Sequence, residues 1–291
     1  MINAMCEKIC RIMLATSVAV VMTVACSDYG IDEKEASVKL VVEGHIDSGG
    51  YPVVILTASA SPAEGNIAIS DKLIRWGKVT ISDGDTTIIM TGGPNKKYFP
   101  PYTYSTFRMK GKPGHTYSIT ASYDYLNVSA SVTMPEPPHI DSIVVNDIAE
   151  ADTLRSATIH FTAADEVPAY YHLSTRVIGI DSLYLPAMMG CYKATVPGEK
   201  VKMAVYRGKS GIVSGAKYVP QLPKNYDVSV RLERVSKQVY DFWLAFDNAS
   251  MFGSSQFVTV DSSLPSNIEG GYGVWSAQGV DFSYIKCEDA D

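Results

Sequence analysis

Hydrophobic and polar positions alternate with a period of two along most of the chain. From Ser37 to Ile46, Val38, Leu40 and Val42 fall on one side and Lys39, Val41 and Glu43 on the other, as in a half-buried strand. Asp47-Ser48-Gly49-Gly50 is a turn, and Tyr51–Thr57 completes a hairpin. Asp83-Gly84-Asp85 joins Lys78–Ser82 to Thr86–Thr91, a strong hairpin signal. Tyr102–Met109 and Thr116–Tyr123 flank a Gly-Pro turn, and Leu126–Met134 follows. Pro135-Glu-Pro-Pro138 then interrupts the pattern, because proline cannot donate to a sheet ladder and favours an extended connector. Strands resume at Ile140–Val145, Ala157–Ala163, Tyr170–Val177, Val201–Tyr206 and Asp227–Val235; the Gly-rich turn Pro265–Ser276 leads into a short strand, and a last one is expected at Val280–Ile285. In Asp227–Val235, Val228, Val230 and Leu232 alternate with Ser229, Arg231 and Glu233.

One segment breaks the two-residue period. Over Ser236–Asn248, Val239, Phe242, Trp243 and Phe246 stand at i, i+3, i+4 and i+7, with Ser236 as N-cap. This predicts an amphipathic helix lying on the second sheet. The expected class is therefore mostly β: two β-sandwich-like domains of immunoglobulin or fibronectin type, at 37–134 and 139–291, joined by linker 135–138, with helix 236–248 in the second.

The N-terminus has a third pattern. Lys8 and Arg11 precede the apolar run Ile12–Ala25, which is too short for a bilayer span of about 20 residues. Val24-Ala25-Cys26 then resembles the cleavage and lipidation site of a bacterial lipoprotein, although Thr23 stands where leucine is preferred. The expectation is a signal peptide over 1–25, lipidation (palmitate included) of Cys26, and an acidic tether over 26–36 bearing Asp28, Asp32, Glu33 and Glu35. Several acyl chains on one cysteine give lasting membrane attachment, since each buried methylene adds about 0.8 kcal/mol. The expected location is the outer membrane, at its periplasmic face or the cell surface.

Composition narrows the function classes. The first 25 residues hold Glu7, Lys8 and Arg11, so the rest carries 23 basic and 30 acidic side chains, a net charge of −7. With no basic run, nucleic acid is excluded as a partner, since its binding rests on Lys and Arg neutralising phosphates. Beyond the signal only Cys191 and Cys287 remain besides Cys26. In an oxidising compartment they fit either a disulfide closing a loop of about 97 residues or two separate thiols.

No catalytic or metal signature survives inspection. Gly208-Lys209-Ser210 ends like a phosphate loop, but Met203 occupies the place of its first glycine. Gly271-Tyr-Gly273 lacks the third glycine of a dinucleotide fingerprint. The five histidines show no metal-ligand spacing, there is no nucleophile elbow, and no cofactor is expected. His160 and His172 fall on adjacent predicted strands and read most simply as strand-surface imidazoles. Tyr98, Phe99, Tyr102, Tyr104, Tyr272 and Trp275 are candidate contacts for a small-molecule, glycan or peptide ligand, or else pack against a sheet edge. Thr86, Ser142, Thr153 and Ser182 each follow an aspartate in a triplet that resembles the Bacteroidetes O-glycosylation acceptor.

Val42-Glu43-Gly44, Tyr51-Pro-Val-Val-Ile-Leu-Thr57, Tyr98-Phe-Pro-Pro-Tyr102, Tyr240-Asp-Phe-Trp243 and Ser266-Asn-Ile-Glu-Gly-Gly271 with Gly273-Val274 together resemble the DUF4249 family of Bacteroidetes lipoproteins. The resemblance covers nearly the whole chain after the signal. It implies a non-enzymatic accessory role in nutrient uptake beside a TonB-dependent receptor, and it brings no catalytic residue. The alternatives are an adhesive, fimbria-like surface protein and a carbohydrate-binding module or hydrolase.

Overall fold

The computed structural model describes residues 38–59, 69–149, 151–209, 218–252 and 264–287. The signal run, Cys26 and the acidic tether lie outside the described residues. Strands β1 (Leu40–Asp47), β2 (Val53–Ala58), β3 (Lys78–Ser82), β4 (Thr87–Ile89), β5 (Thr91–Pro94), β6 (Tyr102–Ser105), β7 (Thr116–Tyr123) and β8 (Leu126–Thr133) precede the proline segment. After it come β9 (Ile140–Asp147), β10 (Leu154–Thr162), β11 (Ala169–Val177), β12 (Leu185–Ala194), β13 (Lys200–Val205), β14 (Leu222–Pro223) and β15 (Val228–Val235). Helix α1 (Lys237–Phe252) and strand β16 (Tyr272–Ile285) complete the fold.

The mostly β class is as expected, with a single α-helix among the described residues. The strands form an eight-stranded sheet, β12-β11-β15-β16-β1-β2-β6-β5, and two four-stranded sheets, β4-β3-β7-β8 and one in which β10 is flanked by β9, β13 and β14. Two hydrophobic clusters result. The first joins Leu40, Val42, Ile46, Val54 and Leu56 to Val79, Ile81, Tyr117 and Ile119. The second joins Tyr171, Leu173, Val228, Val230 and Leu232 to Ile159, Phe161, Val201 and Met203. The proline segment lies in the chain between them, connecting β8 to β9.

Strand β16 bridges the two clusters. Its first half pairs with β1 in parallel and its second half pairs antiparallel with β15. Trp275 and Ala277 enter the first core, and Ile285 enters the second. All three are odd-numbered, so both cores lie on one face of the eight-stranded sheet. The parallel pairing needs glycine at position 273, where φ is +110° and a Cβ would strike the Val42 carbonyl oxygen.

The sequence expectation treats the two ends of β16 as separate short elements and misses β12. The reason is composition: β12, LPAMMGCYKA, has a proline and a glycine, no β-branched residue and no apolar–polar alternation, and its ladder with β11 is broken by a register shift.

Candidate functional site

The even-numbered positions of β16 point to the opposite face of the large sheet. There they join Glu43, His45 and Asp47 of β1, Arg231 and Glu233 of β15, and His172 and Ser174 of β11. By alternation alone this face should be wet. It is instead roofed by α1, by the 95–101 tip of the β5–β6 hairpin and by the β11–β12 connection, which together enclose a cleft of about 550 Å³.

Each roof element is held by local chemistry. In α1, Ser236 caps the first turn: its hydroxyl accepts from the Val239 N–H at 3.4 Å, and its carbonyl accepts from Tyr240. The expected apolar stripe faces the sheet: Val239 packs on Val235 and Val274, and Trp243 stacks on His172 with ring centroids 4.7 Å apart. In the hairpin tip, the Asn95 N–H donates to the Pro101 carbonyl and the Asn95 side chain accepts from the Lys97 N–H, which sets Tyr98 over the cleft. In the β11–β12 connection, Asp181 accepts from the Val177 N–H at 2.8 Å and orients Ser182, Leu183 and Tyr184 along the wall.

The floor is a fully partnered charge network. Glu233, 1 % exposed, accepts from Ser174 at 2.7 Å and from Arg231 Nη2 at 2.6 Å, and bonds His172 Nδ1 at 2.8 Å. Arg231 also reaches Asp47 at 3.1 Å and donates from Nε to Ser174 at 3.0 Å. Its guanidinium lies 4.7 Å from the Tyr184 ring centre. Gln278 donates to Asp47 and accepts from Ser276, so the network crosses four adjacent strands. Burial alone pushes the Glu233 carboxyl up, but Arg231, His172 and Ser174 outweigh it and hold the group near 2. On Arg231 burial works against the charge, yet Glu233 and Asp47 keep the guanidinium above its ordinary value.

Glu43 is the exception. It makes no hydrogen bond or ion pair among the described residues. Glu43 lines the cleft yet is exposed to solvent. Burial raises its carboxyl, and the attraction of His45 only partly offsets this. The Tyr98 hydroxyl likewise has no described partner; burial and the negative charges of Asp47 and Glu43 push it up, against the opposing pull of Arg231.

A second cavity of about 260 Å³ shares His172, Pro186 and Trp243 with the first and includes Cys191 and Asp247. Burial first, then Asp247 and Glu233, push the Cys191 thiol up to about 12, so it is not a reactive thiolate at neutral pH.

The candidate residues named from sequence divide clearly. Tyr98 lines the cleft. Phe99 and Tyr272 are about half exposed elsewhere, the latter under the Lys39 ammonium. Tyr102 donates to the Arg75 carbonyl. Tyr104 and Trp275 are not surface contacts but core anchors. Tyr104 is 2 % exposed and donates to the Ile74 carbonyl; Trp275 is fully buried and donates to the Tyr117 carbonyl at 3.0 Å. Their rings fall on the core face of the sheet, where an indole or phenol needs an internal acceptor.

The Cys191–Cys287 disulfide is corrected too. Cys191 stands opposite His172, which is level with Glu233, whereas Cys287 follows Ile285, the partner of Val228. Seven residue steps separate the two levels, on the order of 20 Å along a strand, against a Cα reach of about 7 Å. His160 and His172 do not meet: Ile159 and Phe161 of β10 and Tyr171 and Leu173 of β11 face each other across the second core, which leaves His160 on the outer side of its sheet and His172 on the cleft side of the other. Nor is His172 a surface imidazole: it is 3 % exposed. Thr86, Ser142, Thr153 and Ser182 are all exposed.

Sequence reasoning missed Arg231, Glu233, His172 and Asp47 as a set. Alternation placed the polar side of β15 in solvent, and no local signal reveals that a helix and two loops fold over it. Most stretches on which the family resemblance rests line this cleft, through Glu43, Tyr51, Tyr98, Trp243 and Val274; Ser266–Gly271 does not.

Among the described residues no three His, Cys, Asp or Glu side chains converge as a metal cage, and no helix is long and apolar enough to cross a membrane. No curated protein matches the chain. A family model described as a domain of unknown function, DUF4249, matches residues 27–282, which takes in the three sheets, the helix and nearly all of the cleft. The chain belongs to the DUF4249 family.

Proposed function

We propose that the chain is a lipoprotein anchored through Cys26 in the outer membrane, and that it captures a ligand for a TonB-dependent transporter without transforming it. The observation that carries the binding role is the cleft of about 550 Å³, within the size range of ligand sites, with a charged floor whose members already hold one another. A floor fixed before the ligand arrives spares part of the ordering cost of binding. Its chemistry favours contact over catalysis. Ser174 gives its proton to Glu233 rather than to an imidazole, which braces the carboxylate and leaves the hydroxyl unactivated. The lipid anchor is supported by the Val24-Ala25-Cys26 junction, and the transporter partner by the family resemblance.

Purification from native membranes in mild detergent tests the partnership: a TonB-dependent receptor is expected to co-purify. Cys26→Ser tests the anchor. The variant is expected in the soluble fraction and without the mass of the acyl chains; a variant still in the membrane pellet, or a native protein lacking lipid, overturns the placement.

A further inference from the structure

His172 has one nitrogen that the charge network does not use. Its Nδ1 meets Glu233 at 2.8 Å, and Glu233 already accepts from Ser174 and Arg231. A carboxylate in that position has no proton to give, so Nδ1 is the donor. In the neutral ring Nε2 then carries a bare lone pair. Glu233 stands opposite His172 on β15, and Cys191 stands opposite it on β12. Nε2 is bonded to the ring carbon on the side away from Nδ1. With Nδ1 turned towards β15, Nε2 falls on the β12 side, where Cys191 is. Trp243 stacks on the ring at an interplanar angle of 9° and holds its plane. The residue is 3 % exposed, yet Nε2 has no hydrogen-bond partner among the described residues. A buried acceptor left in that state is costly unless something binds it.

The cavity of about 260 Å³ lies over this junction, lined by His172, Cys191 and Met188. Residues directly opposite in an antiparallel pair share a face, with Cβ atoms about 4.5–5.5 Å apart. Met188 belongs to the bulge that interrupts the ladder between Cys191 and Pro186. The charged groups of the same cavity are engaged elsewhere: Asp247 accepts from the Met189 N–H at 2.8 Å, and the Lys209 ammonium donates to the Ser250 carbonyl at 3.2 Å.

From this arrangement we infer that the second cavity binds a soft monovalent cation, copper(I), held by His172 Nε2, the Cys191 sulfur and the Met188 thioether. Thiolate and thioether ligands select copper(I) over hard cations, and imidazole suits copper as well. A structural zinc site takes four nitrogen, sulfur or carboxylate ligands, and this set falls short of that. A metal-bound histidine characteristically donates its other N–H to a carboxylate, which fixes the tautomer and the ring; Glu233 already does this. On binding, the Cys191 S–H bond breaks, an S–Cu bond forms and the proton leaves to solvent, with no electron transferred. The cavity thus gains a metal without gaining charge. The site is separate from the proposed ligand capture, although His172, Pro186 and Trp243 form a shared wall.

The test uses the mature chain carrying Cys26→Ser and Cys287→Ser, in which Cys191 is the remaining thiol. Titrated anaerobically with copper(I) against a chromogenic copper(I) chelator, it is expected to bind one ion per chain. X-ray absorption at the copper edge should show two sulfurs and an imidazole nitrogen, a readout that needs no variant at the site. Cys191→Ser should weaken binding at least a hundredfold and His172→Gln at least tenfold, with circular dichroism and melting temperature confirming that both are folded. Sulfur-only coordination, or full affinity in folded His172→Gln, means a lone thiol and overturns the site. Zinc bound as tightly as copper(I) overturns the soft-ion assignment. No copper retained against the chelator overturns the inference outright, and ligand capture by the larger cleft stands or falls separately.

Discussion

Glu233 and Glu43 show how two glutamates on one sheet face acquire opposite characters. Glu233 is surrounded by donors and stays ionised far below the ordinary range; Glu43 has none and is pushed the other way. The signs of the consequences differ. A lowered carboxyl stabilises the fold above its unfolded value, and that stability is lost as pH falls from about 4.5 towards about 2. Glu233→Gln should flatten this acid limb and, by leaving Arg231 with Asp47 alone, cost about 3–5 kcal/mol at pH 7 in denaturant unfolding. A raised carboxyl instead opposes folding once it ionises. Glu43→Gln should therefore be no less stable than the parent at pH 7, with the difference vanishing at acid pH.

Strand β16 is the element on which the architecture turns. It serves both sandwiches, and on its other face it supplies Ser276 and Gln278 to the cleft. Trp275→Ala would remove a fully buried ring and orphan the Tyr117 carbonyl. The expected loss is about 3–5 kcal/mol, read as a drop in melting temperature. Helix α1 has a different role. Its stripe closes the cleft through Trp243, which stacks on the same imidazole that braces Glu233. The helix was legible in the sequence because i, i+3, i+4, i+7 spacing and a serine cap are local signals. β12 was not, because it has no β-branched residue and no two-residue alternation to mark it as a strand.

The eight-stranded sheet makes the two sandwiches interdependent. The N-terminal core contains Ile268, Trp275 and Ala277 from the far end of the chain. The connector passes tightly over the middle of β16, where a Cβ on residue 279 would lie 2.6 Å from the Pro135 carbonyl oxygen. Residues 37–134 expressed alone should therefore fail to give a dispersed amide NMR spectrum, and adding residues 135–291 in trans should restore it. A well-folded isolated N-terminal half would mean that β16 is dispensable to the first core. The prolines themselves were readable as a break between two cores; that a strand more than 130 residues later returns across it was not.

The sequence by itself determined what depends on near neighbours: the two-residue period of the strands, the capped helix, the proline break, and the stretches by which the chain resembles its family. It even displayed the polar side of β15, as Ser229, Arg231 and Glu233. Only the tertiary structure decided which polar face is roofed and which is wet, because periodicity gives the side of a strand and not what lies above it. The cleft arises from that difference, where strands β11, β15, β16 and β1, drawn from opposite ends of the chain, align their polar faces beneath one helix and two loops.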